Sequence, residues 1–175
     1  MKVRRQRALL MGCMVGMCLW ASTPVFAQSM IDKILGLVGG ASVSGQQDFD
    51  LPSTDGERVL LSEFRGKKPV LLYFWAIWCP SCQAVKPELV KLRQKMPEDQ
   101  LEILGINVGT GDSFERVKKY QKAHPMPFKV LYDAEGAVTR AFDVRGIPLF
   151  VVVDKTGSIV YRDHQLPSDI RRLIQ

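Results

Sequence analysis

The sequence predicts an α/β domain built on a mixed β-sheet with helices on both faces. The run from Val70 to Ala76 is almost continuously apolar, which suits a strand in a sheet covered on both sides. From that run onward, strand-like segments alternate with segments of helical period, as in βαβ units. Two late apolar runs, Leu149 to Val153 and Ser158 to Tyr161, flank Lys155-Thr156-Gly157 and fold back as an antiparallel hairpin.

At the N-terminus, Lys2, Arg4, Arg5 and Arg7 precede an uncharged stretch from Ala8 to Ala27, the pattern of a secretory signal. Val25-Phe26-Ala27 meets the small-residue rule for cleavage, so residues 1–27 are expected to be removed. The alternative is an uncleaved membrane anchor, since the stretch is roughly the length a span needs. Four of the 24 basic residues and none of the 18 acidic ones lie in this segment, so the formal charge falls from +6 to +2 without it. The mature chain then lacks the basic surface that nucleic-acid binding requires. Residues 28–47, with Gly39-Gly40-Ala41-Ser42-Val43-Ser44-Gly45, have the composition of a flexible linker, and a single domain is expected over 48–175.

Within that domain, Phe49-Asp50-Leu51 and Arg58 to Leu61 flank a turn at Ser53-Thr54-Asp55-Gly56 and predict an N-terminal hairpin. After the central strand, Val85, Leu89, Leu92 and Met96 recur at helical spacing from Pro80 to about Lys95. Lys86, Lys91, Arg93 and Lys95 are assigned to the other faces of that helix, and Pro87 is awkward inside it. Leu101 to Val108 predicts a strand, Ser113 to His124 a helix, Lys129 to Tyr132 a strand and Ala137 to Phe142 a short helix. A terminal helix over Pro167 to Ile174 follows the last hairpin. The glycines at 105, 109 and 111 superficially suggest a phosphate loop, but no Lys-Ser or Lys-Thr follows them, so a turn is expected.

The chemistry concentrates in Cys79-Pro80-Ser81-Cys82, where the central strand gives way to a helix. Cys13 and Cys18 fall in the signal, so the exported chain keeps only this pair and has no structural disulfide framework. Only a thiolate attacks a disulfide, and a helix N-terminus favours that anion. Cys79 is therefore assigned as the nucleophile and Cys82, a turn further in and more buried, as the resolving thiol. Half of a zinc site is the competing reading, but it lacks two further ligands. His124 and His164 are each solitary and are given ordinary structural or solvated roles. No metal or cofactor is expected.

Phe74-Trp75-Ala76-Ile77-Trp78-Cys79-Pro80-Ser81-Cys82, with Pro87 beyond it and Gly146-Ile147-Pro148 before the last hairpin, resembles a thioredoxin-fold protein. Phe49 to Pro52, Asp55-Gly56 and Leu61 to Lys67 narrow the resemblance to exported TlpA/ResA-type thiol-disulfide oxidoreductases, related to those of cytochrome c maturation. The resemblance implies a thioredoxin fold with an N-terminal β-hairpin extension and a central strand-helix insertion between Gly105 and Tyr132. It also implies a cis Ile147-Pro148 bond beside the sulfurs, with Ile147's backbone available to an extended substrate. Trp75 is assigned to the core, and Trp78 either to the core or to a docking surface with Pro80, Ser81, Ile147 and Pro148. The implied partners are a disulfide-containing exported protein and a thiol-reducing electron donor in the membrane, and the implied compartment is the periplasm.

Two positions depart from the family's pattern. Tyr73 stands where many thioredoxins have a buried acid, and Val85 where many ResA-type proteins have Glu. Tyr73, Lys86, Glu88 and water are left as acceptors for the Cys82 proton. Rival functions are a disulfide oxidant, a peroxiredoxin-like peroxidase and a copper-binding chaperone.

Overall fold

The computed structural model describes residues 47–175, and the expected signal and all but the last residue of the linker lie outside them. In chain order the elements are β1 (Asp50–Pro52), β2 (Arg58–Leu60), a 3-10 turn (Leu61–Phe64), β3 (Val70–Trp75), α1 (Pro80–Lys95) and β4 (Glu102–Asn107). They continue with α2 (Phe114–Ala123), β5 (Lys129–Tyr132), α3 (Ala137–Ala141), β6 (Leu149–Val153), β7 (Ile159–Asp163) and α4 (Ile170–Leu173).

Five strands form one sheet in the order β5-β4-β3-β6-β7. β3 pairs parallel with β4, and β4 with β5, whereas β6 runs antiparallel to both β3 and β7. The sheet is mixed, as the alternation followed by a hairpin predicted. β3 lies at its centre with every residue buried, which explains its unbroken apolar sequence. Successive strand side chains point to opposite faces, and their contacts identify what covers each. Trp75 meets Tyr120 of α2 and the Lys86 amine of α1, while Phe74 meets Phe142, which also contacts Phe49.

The N-terminal hairpin pairs Leu51 with Val59 and buries both, with Gly56 at φ +100° taking the left-handed position of its turn. It docks on the sheet edge, where Thr54 N–H donates to the Val130 carbonyl at 2.9 Å and Ser53 bridges Leu131. The expected insertion supplies α2 and the edge strand β5. This is an α/β thioredoxin-like fold with an N-terminal two-stranded hairpin.

The terminal helix is shorter than the sequence predicted. Pro167 to Asp169 and Ile174 stay outside it, and Asp169, with φ −136° and ψ 83°, is not in helical backbone before the first turn. With Asp169 outside helical backbone, the φ that Pro167 presets has no helical turn to join. Lys86, assigned to another face of α1 than the apolar stripe, is half-buried with its amine over aromatic rings. A long aliphatic stem packs on apolar surface while its amine finds the negative faces of Trp75 and Tyr120. Among the described residues no helix is long and apolar enough to cross a membrane.

Candidate active site

Cys79 is the N-cap of α1, and Pro80 is its first residue. Proline is well placed there, since its ring presets the helical φ and the missing N–H had no helical partner to bond. The two cysteines form a disulfide. The Cys82 N–H donates to the Cys79 sulfur at 3.2 Å, and the Ser81 hydroxyl lies 3.4 Å from that sulfur. Once the bond is reduced, these donors and the positive end of α1 face the Cys79 sulfur, which favours the thiolate. Cys82 is wholly buried and Cys79 is 4% exposed.

The outer wall of the site comes from far along the chain. The Cys79 sulfur lies 3.8 Å from the Ile147 carbonyl, and the Ile147-Pro148 bond is cis. β6 and β7 pair Phe150 with Asp163, so the residue after β7 arrives beside the residues before β6. That register brings His164 to the loop, with its Nδ1 2.7 Å from the Pro148 carbonyl. Sequence reasoning gave His164 no place here, because only the pairing register shows the proximity.

The segment between β4 and α2 was also missed beyond its assignment as a turn. The Asp112 side chain is fully enclosed, and its Oδ2 accepts from the Ile77 N–H at 2.9 Å and from Asn107 Nδ2 at 2.8 Å. The Thr110 carbonyl accepts from the Trp78 indole N–H at 2.7 Å. Gly111 has φ +74°, and a Cβ there would lie 2.9 Å from that indole nitrogen. Thus the two residues before Cys79 are each tied to one short loop. Trp78 is nevertheless 53% exposed, so it offers apolar surface next to the sulfurs rather than joining the core. Trp75 is fully buried, as assigned.

Beneath the sulfurs, the Tyr73 hydroxyl donates to the Cys82 carbonyl at 2.7 Å. Its pKa is raised, chiefly by burial and further by Tyr120. Tyr73 therefore keeps its proton and acts as a clamp on the first turn of α1. Lys86 donates to the Tyr120 hydroxyl at 2.9 Å, and burial draws its pKa down to about 8. Glu88 is exposed, on a groove that includes Lys91 and Leu166. Among the described residues no group of three or more His, Cys, Asp and Glu side chains is arranged to hold a metal ion.

Residues 45–162 match the AhpC/TSA family. Thiol-disulfide oxidoreductase ResA of Bacillus subtilis is 31% identical over 70% of this chain and 68% of its own length. Thiol:disulfide interchange protein DsbE of Pseudomonas aeruginosa is 33% identical over 65% of this chain and 61% of its own. The fold is also similar to the crystal structure of the exposed lipoprotein thioredoxin of Streptococcus pneumoniae, with a TM-score of 0.64 and 26% identity over 73% of this chain and 98% of that one.

Proposed function

Since the chain belongs to the AhpC/TSA family and is a thiol-disulfide oxidoreductase of the ResA/DsbE type, we propose that it is an exported reductant of protein disulfides. Its targets are exported proteins such as those of cytochrome c maturation, and a thiol-reducing donor in the membrane returns it to the dithiol state. The signal over residues 1–27 is cleaved after Ala27, and the domain that begins at residue 48 acts in the periplasm. The observation that carries the reading is Cys79 at the N-cap of α1, between exposed Trp78 and the Ile147 carbonyl.

In the mechanism, the Cys79 thiolate attacks a target disulfide and a mixed disulfide forms as the first target sulfur leaves. Cys82, deprotonated, attacks the Cys79 sulfur and releases the second target sulfur, leaving the Cys79–Cys82 disulfide. Trp78 and the backbone at Ile147 and Pro148 receive the extended target, while Pro80 and Ser81 set the turn and the donor facing the sulfur.

Cys79→Ser is expected to abolish reduction of insulin by dithiothreitol-charged protein, whereas Cys82→Ser traps a mixed disulfide on Cys79 that is visible by mass spectrometry. Full activity in Cys79→Ser sinks the reading. Alkylation of intact cells settles direction: a predominantly reduced pair supports the reductant, and a predominantly oxidised one reverses the proposal to an oxidant.

A further inference from the structure

Resolution of the mixed disulfide requires Cys82 to lose its proton, yet Tyr73 and Val85 occupy the two positions where the family resemblance points to an acid. Tyr73 donates its only proton to the Cys82 carbonyl, and burial holds that proton on the phenol. Glu88 is six positions after Cys82, away from the stripe that continues through wholly buried Leu89.

Lys86 follows Cys82 by four positions and so shares its face of α1. Helical side chains lean toward the N-terminus, which directs Lys86 back over the turn containing Cys82 and Gln83. Its contacts agree with that direction. The amine sits 4.6 Å from the Trp75 ring centroid, 4.3 Å from that of Tyr120 and 2.9 Å from the Tyr120 hydroxyl. That hydroxyl donates at 2.5 Å to Gln83, the neighbour of Cys82, and the Gln83 amide donates at 3.0 Å to the Ile77 carbonyl. Around the amine, β3 contributes Tyr73, stacked on Trp75, while α2 and its C-cap contribute Tyr120 and His124, the latter packed at a tilt against Tyr120. No carboxylate among the described residues forms an ion pair with Lys86.

We propose that Lys86 accepts the Cys82 proton during resolution and that the charge it gains holds the thiolate until attack. The proposal rests on the dithiol mechanism above and adds its missing acceptor. The Cys82 S–H bond breaks as an N–H bond forms on Lys86. The Cys82 sulfur then bonds to the Cys79 sulfur, and the electron pair of the Cys79–target bond leaves on the target sulfur. The added proton passes from Lys86 to that leaving thiolate, restoring the free amine. With its pKa drawn down to about 8, roughly a tenth of Lys86 is free amine at pH 7, far more than for an ordinary lysine.

Stopped-flow reaction of the reduced protein with Ellman's reagent separates the steps, because Cys79 attack releases the first coloured thiolate and Cys82 resolution the second. Lys86→Met is expected to slow the second phase by roughly a hundredfold and to remove its rise near pH 8, leaving the first phase unchanged. Lys86→Arg, which keeps a cation but cannot accept the proton, loses the same rise and serves if the methionine variant does not fold. His124→Gln retains the rise. A second phase unchanged in both Lys86 variants overturns the proposal while leaving the dithiol reading intact, and so does loss of the rise in His124→Gln. Absence of any second phase in the unsubstituted protein sinks the dithiol reading itself and the proposal with it.

Discussion

The loop that reacts and the loop that holds it are built on different principles. Ala76 to Cys82 carries the chemistry, and its parts are neighbours in sequence: a buried strand end, an N-capping sulfur, a proline at the first helical position and a second thiol one turn on. Gly109 to Asp112 carries no reacting group, yet it holds Ile77 by the Asp112 carboxylate and Trp78 by the Thr110 carbonyl. Reactivity is a local property of this chain, whereas the aim of the reactive group is set from about 35 residues away.

The largest effect on that comparison is expected from Asp112→Ala. Removing the fully enclosed carboxylate leaves the part-buried Ile77 N–H and Asn107 amide without their acceptor. An unsatisfied buried polar group costs about 1–3 kcal/mol, so the urea midpoint should fall accordingly. The rate of Cys79 attack should fall as well, because the loop preceding it loses its tether. If attack is unimpaired in a folded Asp112→Ala protein, the second loop supports stability alone and the division of labour is wrong.

Gly111→Ala should act less strongly and on the other tether. The glycine sits at φ +74°, where a side chain is strained by roughly 1 kcal/mol, and the added Cβ presses on the Trp78 indole. The expected result is a shifted indole emission and weaker affinity for protein targets, with little change in attack on a small disulfide. Equal loss on both kinds of substrate contradicts the docking role given to Trp78.

The same contrast explains what was legible in the sequence. The mixed sheet, the extent of α1, the cis-proline loop and the thiol pair follow from periodicity, end signals or family motifs. Asp112, His164 and the aromatic setting of Lys86 did not, because each acquires its role through a partner brought near only by strand register or helix packing. A lysine within an amphipathic helix gives no local sign that Trp75 and Tyr120 will flank it. α4 is shorter than predicted for a related reason, since the backbone at Asp169 interrupts the segment that Pro167 was expected to open.

Tyr73→Phe is the mildest test and bears on the floor beneath the reacting loop. The substitution keeps the ring that stacks on Trp75 and Phe150 and deletes only the hydroxyl. The Cys82 carbonyl loses that donor but remains placed to accept the bond of the helical ladder. The expected cost is therefore that of a single hydrogen bond, about 0.5–1.5 kcal/mol, read as a small fall in the urea midpoint. Resolution by Cys82 should stay within about twofold of the unsubstituted rate at every pH, far from the roughly hundredfold that loss of a general base brings. A hundredfold fall makes the phenol a participant despite its raised pKa and moves Tyr73 from the supporting structure into the chemistry. A shift of the resolution profile without a change in stability points to the same conclusion, because a clamp alone acts through folding rather than through a proton.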